Sequence, residues 1–457
     1  MTLRVRGLGV VSESLIVLFS FLVAVLVRFR GDPEELFSYR RLVPKAVLCV
    51  VVVMLALYYG EMYEYRSRRR TELFLRLGQC MAVASVILAV IFFVVPGLQV
   101  GRGIFVLFVL LAWGGLLLGR LALLWTWGNV SGLGDRVLIL GTGVSARNVA
   151  REMLKRSPVG YRVLGFLTEH AEEVGQVLVN PSVVGTLDDL PRLVSSLGAS
   201  LIVVAQEDRR KRLPMEALLQ CRTAGVRVVE AASLFEVLSG RIPLRDLRPS
   251  WLIFSGGFEK PRVLNNLKRL GESWVAGAIL LATAPLAVLL ALLVRLSGPG
   301  PALYRQARVG LDGRTFELLK WRTMRADAES VTGPSWAPAK DDPRITPIGL
   351  LLRKSRLDEL PQLWNVLRGD MSFVGPRPER PHFVEKLRKV IPYYDERHGV
   401  RPGITGWAQV KFPYGATLED AEEKLEFDLY YVKNMSPLLD VAIVLETFKV
   451  MLLGRGR

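Results

Sequence analysis

Four long apolar stretches fill the first 130 residues, and they decide where this chain can fold. Roughly Leu8–Val27, Val43–Tyr59, Cys80–Leu98 and Ile104–Trp127 each approach or exceed the ~17–25 residues that a helix needs to cross a bilayer. The first has the length of a secretory leader. No small-residue cleavage site follows it and three more stretches do, so it reads as an uncleaved anchor. Arg66, Arg68, Arg69 and Arg70 lie between the second and third stretches. Positive charge stays inside, which puts that link and both termini on the cytoplasmic face; Arg40, Arg41 and Lys45 pull against this orientation.

Composition narrows the partners. A hydrophobic content of 51% stands beside a formal net charge of +17, which suits apolar spans alternating with basic, water-facing surfaces. Such a balance attracts phosphates of any kind. There is no zinc knuckle, homeodomain or zipper pattern, so lipid headgroups and nucleotides are expected rather than nucleic acid. Cys49, Cys80 and Cys221 form no C-x-x-C pair, and His170, His382 and His398 are scattered. A disulfide framework and a zinc site both lack material. A required metal would be hard and held by carboxylates and phosphates, hence Mg²⁺ or Mn²⁺.

After residue 130 the pattern changes. Residues 131–258 read as a Rossmann-like α/β domain: Arg136–Leu140 is a buried strand, and further strands are expected at Val163–Leu167, Leu201–Ala205 and Val226–Glu230. Strands alternating with helices imply a parallel sheet. Gly141-Thr-Gly143-Val-Ser-Ala146 follows the first strand and opens a helix, where glycines allow a phosphate close to a helix N-terminus. Gly141 and Gly143 are therefore candidate nucleotide contacts. The competing expectation is a module that binds a regulatory ligand or nothing.

Residues 259–457 begin with a fifth apolar stretch, Ser273–Leu296, with Pro285 in its middle. Proline inside a helix removes a hydrogen bond and clashes with the preceding turn, at about 3 kcal/mol. Lys268 and Arg269 precede the stretch, and Arg295, Arg305 and Arg308 follow it. Basic flanks on both sides favour a helix broken at Ala284-Pro285 that enters one leaflet and returns; a kinked spanning helix is the alternative. Thr283 or Ser273 could serve the freed backbone groups. The rest is charged and punctuated by proline and glycine. Lys320-Trp-Arg322-Thr-Met-Arg325-Ala-Asp327-Ala-Glu329 sets two carboxylates after a basic strand. With histidine scarce, a carboxylate is the most available nucleophile for phosphoryl chemistry, and a second could hold metal. Asp341-Asp342-Pro343-Arg344 could form a metal-binding turn or a helix cap. Asp358-Glu359 lies in a run of acids, bases and amides, while two prolines stiffen the backbone around Arg377, a guanidinium suited to phosphate. Arg401 opens a turn ahead of Trp407.

Taken in order, Lys320–Met324, Asp342–Arg344, Leu357–Asn365, Gly369–Pro378 and Arg401–Gly406 resemble the bacterial sugar transferase family of polyprenyl-phosphate hexose-1-phosphate transferases, in its long form. The segment from Tyr414 to Asn434 is more similar to the exosortase-associated exopolysaccharide subgroup. The resemblance implies a membrane protein with four amino-terminal transmembrane helices, a Rossmann-like α/β middle domain and a mainly α catalytic module carrying a re-entrant helix. It implies transfer of a hexose-1-phosphate from a UDP-sugar to polyprenyl phosphate, at the cytoplasmic face of the bacterial inner membrane, with release of UMP and an aspartyl intermediate. Asp327 and Glu329 take the catalytic and Mg²⁺-binding roles, with the choice of nucleophile between them open. Lys320, Arg322, Asp342, Arg344, Asp358, Glu359, Arg377 and Arg401 take substrate and phosphate roles. Self-association into a homo-oligomer is compatible with this reading. Two other functions compete: a membrane-bound NAD-dependent nucleotide-sugar epimerase or oxidoreductase using the Gly141 loop, and a non-catalytic polysaccharide-assembly scaffold.

Overall fold

The computed structural model describes residues 3–29, 41–60, 62, 70–129, 134–156, 161–205, 213–244, 251–252, 255–259, 262–325, 342, 344–412, 415 and 417–452. It divides into two compact units, 1–238 and 239–457.

In the first unit, helices α1 (Leu3–Arg28), α2 (Leu42–Tyr59), α3 (Arg70–Val94) and α4 (Arg102–Asn129) contain apolar segments long enough to cross a membrane. The third helix starts before the expected stretch and stops short of it. Pro96 explains the stop: the residue before a proline is driven out of the α region, and Val95 leaves it (φ −113°, ψ 89°), followed by a short 3₁₀ turn at Pro96–Leu98. The helices share one core that includes Phe21, Leu57, Leu77, Leu88, Phe108 and Leu116. Helix α1 lies close against α4 because Gly115 and Gly119 offer no side chain; a Cβ at Gly115 would come within 2.9 Å of Ile16. Small residues permit this approach in a membrane bundle. Near one end of the bundle Glu13 pairs with Arg120 at 2.7 Å, and Arg120 also donates to the Met62 carbonyl at 3.2 Å. The first half of α1, the second half of α4 and the turn after α2 are thus held at one level.

The same unit contains, among the described residues, a five-stranded parallel sheet ordered β3-β2-β1-β4-β5. Its strands are β1 (Asp135–Leu140), β2 (Tyr161–Thr168), β3 (Val183–Thr186), β4 (Leu201–Val204) and β5 (Arg227–Glu230). The order reverses at β1, as in doubly wound folds. The central strands are apolar on both faces because both faces are covered: Val137 and Ile139 point into one core, Leu138 and Leu140 into the other. Helices α5 (Val144–Arg156), α6 (Leu190–Leu197), α7 (Met215–Thr223) and α8 (Ala231–Ser239) complete the layers. The short edge strand β3 was not among the expected strands.

The second unit is built around helix α9, Arg262–Leu296. No break falls at Pro285: the helix runs through it. At ~1.5 Å per residue, ~50 Å of continuous helix results if it is straight. The Thr283 hydroxyl donates to the Ile279 carbonyl at 2.7 Å, a back-bond that bends helices while satisfying the hydroxyl. Most of α9 is uncovered, Trp274 and Leu281 each being 80% exposed. Two short stretches of it are covered. Ala276, Ile279 and Leu280 pack with Leu318, Leu363, Val366 and Met371. Ala287, Leu290, Ala291 and Val294 pack with Trp321 and Leu352. Both halves therefore rest on one platform. Its parts are the antiparallel hairpin β6 (Leu303–Val309) and β7 (Thr315–Trp321), helices α10 (Pro347–Ser355) and α11 (Gln362–Arg368), and the parallel pair β8 (Ser372–Val374) and β9 (Gly403–Thr405). Helices α12 (Pro381–Val390), α13 (Trp407–Lys411), α14 (Leu418–Asn434) and α15 (Pro437–Leu452) follow. Along α15, Leu438, Val441, Phe448 and Met451 are exposed while Ile443 is buried, the one-sided pattern of a helix lying in an interface.

Candidate active site

Local sequence brings one group of charges together. In the hairpin register Lys320 stands opposite Tyr304. The buried Asn365 of α11 grips β7: its Oδ1 accepts from the Leu319 amide at 3.0 Å and its Nδ2 donates to the Glu317 carbonyl at 2.7 Å. Thr346 caps α10 by accepting from the Gly349 amide at 3.0 Å, with Pro347 in the first turn, a strong helix start. Gly349 is required because a Cβ there would strike the Thr323 carbonyl. The helix ends at Arg356 in the left-handed region (φ 59°), and the reversal delivers Asp358 and Glu359 on a 3₁₀ turn.

Glu359 Oε1 lies 3.4 Å from Lys320 Nζ, 3.3 Å from Arg377 and 3.8 Å from Arg356. Burial works against its charge, yet Arg377, Lys320 and Arg356 hold its carboxyl down at about 2. Burial pushes the Lys320 ammonium below its ordinary value, with Glu359 opposing. Asp358 behaves differently. It is 8% exposed, and its Oδ1 has no hydrogen-bond partner among the described residues. Burial raises its carboxyl above the usual range, with Lys320 acting in the other direction. Arg353 lies within electrostatic reach of both Asp358 and Asp342 and donates to the Thr323 hydroxyl at 2.9 Å. Arg377 also donates to Gln409 Oε1 at 3.0 Å. The site is an ionised carboxylate that organises cations, beside a second, desolvated carboxylate with one buried oxygen that no described group bonds. Positive charge converging on a buried carboxylate suits the handling of a diphosphate.

Several expected site residues stand elsewhere. Asp327 and Glu329 lie outside the described residues. Arg322, expected on phosphate, donates instead to the Val294, Gly298 and Pro299 carbonyls at 2.9, 2.7 and 2.6 Å. The end of α9 leaves carbonyls without helical partners, and this buried guanidinium satisfies them. Asp342 is held by its neighbour Arg344 through bonds of 2.6–3.1 Å, which keep its carboxyl at about 2. It is not the cap of α10, which is Thr346. No group of three metal-type side chains occurs among the described residues. Residues 323–325 and 344–346 run antiparallel, with the Arg325 amide on the Arg344 carbonyl at 3.0 Å and a bridge between Met324 and Ile345. Arg401 donates to the Gly369 carbonyl at 3.1 Å, and its charged neighbours are Arg269 and Glu272. Arg353, Arg356 and Gln409 were not singled out from sequence. Arg353 and Arg356 share the run that holds Asp358, so spacing alone could have flagged them; nothing local marks Gln409.

In the first unit the Gly141 loop closes β1, with Gly141 at φ 110°. The Thr142 hydroxyl donates to Glu173 Oε2 at 3.0 Å, and Thr168 to the same oxygen at 2.6 Å. These bonds hold the Glu173 carboxyl below its ordinary value.

Comparison with known proteins adds family relationships. Residues 263–454 match the family described as bacterial sugar transferase, and residues 59–218 match one described as a CoA-binding domain. The chain is 40% identical over 240 residues to a UDP-N-acetylgalactosamine-undecaprenyl-phosphate N-acetylgalactosaminephosphotransferase of Aeromonas hydrophila, covering 52% of this chain and 55% of that protein. It is 44% identical over 184 residues to a UDP-glucose:undecaprenyl-phosphate glucose-1-phosphate transferase of Escherichia coli, covering 40% and 39%. An exopolysaccharide production protein PSS of Rhizobium leguminosarum is 40% identical over 199 residues, which are 42% of this chain and 97% of that one. The match thus spans about half or less of the first two relatives.

Proposed function

Because this chain belongs to the bacterial sugar transferase family, we propose that it moves a hexose-1-phosphate from a UDP-sugar to polyprenyl phosphate, beginning an exopolysaccharide. The observation that carries this reading is the buried Asp358, with one unpartnered oxygen, beside the Lys320–Glu359–Arg377 charge cluster.

We place the covalent role on Asp358, whose burial beside Lys320 and Glu359 has the chemistry a nucleophile needs, with Asp327 as the alternative. A carboxylate stripped of water and left with a free lone pair is primed for attack. Its oxygen bonds to the phosphorus that bears the sugar. The bond from that phosphorus to the bridging oxygen breaks, and UMP leaves with the electron pair. A polyprenyl-phosphate oxygen then attacks the same phosphorus, the bond to Asp358 breaks, and the carboxylate is restored. Lys320 and Arg377 neutralise the charge that gathers on the phosphoryl oxygens, while Glu359 keeps both cations in place. The Asp358–Glu359 carboxylates would hold a hard cation together with the donor's phosphates. Mg²⁺ there would supply further neutralisation of the diphosphate.

Lipid and nucleotide must meet at one surface. Supporting this, the two ends of α9 are fastened to the same unit: Lys268 to Asp440 at 2.8 Å and to the Tyr431 hydroxyl at 2.8 Å, and the Gly298 and Pro299 carbonyls to Arg322. A helix bent at Pro285 that re-enters the leaflet keeps both ends cytoplasmic. The Glu13–Arg120–Met62 tie supports four amino-terminal crossings, because it brings the first half of α1, the turn after α2 and the second half of α4 to one level.

The test is UMP release from a panel of UDP-sugars by the full-length protein in membranes, with Mg²⁺ and polyprenyl phosphate. Asp358→Asn should abolish release while Asp327→Asn retains the covalent step. The opposite pattern returns the nucleophile to Asp327.

A further inference from the structure

The Pro376-Arg377-Pro378 loop poses a structural problem. Two of its three residues have no N–H, so ladder hydrogen bonds cannot hold it. It is held by its acceptors instead. Three consecutive carbonyls each take a different donor: Pro376 from the Gly403 amide at 3.0 Å, Arg377 from the Arg397 guanidinium at 2.9 Å, and Pro378 from Arg308 at 2.9 Å. Arg397 is built for the central position. The same NH2 group meets Asp428 Oδ2 at 2.7 Å, and NH1 donates to the Tyr394 hydroxyl at 2.6 Å. Arg397, Asp428 and Tyr394 are all buried.

We propose that the Arg397–Asp428 pair is a positioning device, which fixes the Arg377 backbone so that its guanidinium points between Glu359 and Gln409. This rests on the reading of Arg377 given above. The chain of contact runs from α14 through Arg397 to the Arg377 carbonyl, and on through its side chain to the carboxylate that organises Lys320. Stability alone gives no reason for such a pair, since apolar side chains often replace buried ion pairs without loss. A planar fork that reaches Asp428, Tyr394 and a main-chain oxygen together has no apolar substitute. Burial and Arg397 pull the Asp428 carboxyl in opposite directions, burial prevailing to about 6, so the pair is held at a cost in solvation.

A double-mutant cycle on the full-length protein in membranes decides the matter, reading UMP release against UDP-sugar concentration and the melting temperature of each variant. Arg397→Lys keeps a charge for Asp428 and loses the fork; kcat should fall about tenfold with KM nearly unchanged. Arg377→Ala should cost more, about a hundredfold. If Arg397 acts through Arg377, adding Arg397→Lys to Arg377→Ala costs nothing further. Additive losses, or native kcat in Arg397→Lys, overturn the inference. Should Arg397→Lys fail to fold, Tyr394→Phe removes only the hydroxyl; its kcat should drop about threefold, and that drop too should vanish beside Arg377→Ala. Wild-type protein that releases no UMP removes the proposed reaction, and this inference with it. An active wild type with additive variants removes the inference alone.

Discussion

Two loops in this molecule look fit to hold phosphate, and they are built on opposite plans. The Gly141 loop has the outward form, a strand, glycines and a helix start. Yet its Thr142 hydroxyl is turned to the Glu173 carboxylate, and the nearby Arg147 donates from Nε to the Thr142 carbonyl. The Arg377 loop has no glycine fingerprint. It is stiffened by prolines, and Lys320, Arg353 and Arg356 gather around the Asp358–Glu359 turn that Arg377 meets. A glycine pattern gives the backbone freedom to approach a ligand, whereas chemistry on a diphosphate needs charges that converge on one point. The second is a property of the fold.

The comparison can be broken or sharpened by substitution. Asp358→Asn should lower UMP release at least a thousandfold, and a residual rate within tenfold of wild type would end the claim for this loop. Lys320→Met should cost about a hundredfold and alter the pH profile. The Asp358 carboxyl lies above its usual range, so the proton returns, and activity fails, at higher pH than for an ordinary aspartate. Lys320 opposes that rise. Its loss should therefore move the acid limb of kcat against pH upward, and a downward move contradicts the arrangement. Arg322→Ala takes the donor from the Gly298 and Pro299 carbonyls just past α9, while Val294 keeps its bonds from Ser297, and should cost about 2–4 kcal/mol of stability, read as a lowered melting temperature with kcat per folded molecule within about threefold of wild type. Thr142→Val, in the other loop, should change UMP release less than about twofold. A loss as large as that of Lys320→Met would make the first unit part of the chemistry.

Much of the fold was legible because hydrophobic length and period report it directly. The apolar helices and the parallel sheet follow from runs such as Arg136–Leu140 and Leu201–Ala205. Strand β3 (Val183–Thr186) escaped because a glycine interrupts it, and a Cβ at that Gly185 would collide with Leu193, a packing reason invisible in sequence. Pro285 was read as a break because proline costs a helix one hydrogen bond; the helix continues through it, with a short stretch on either side packed on one platform. The site was legible as a list and not as an arrangement. Lys320, Glu359 and Arg377 meet because Asn365 ties α11 to β7 and because Arg356 turns the chain. Arg322 has the look of a phosphate ligand, yet only the position of the α9 end reveals its role.

The most direct measurement is the mass of the intact protein after incubation with UDP-sugar and Mg²⁺ in the absence of lipid acceptor. Wild type and Asp327→Asn should each gain one sugar phosphate, discharged on adding polyprenyl phosphate, and Asp358→Asn should gain nothing. An adduct that survives in Asp358→Asn, or that maps to Asp327, contradicts the account.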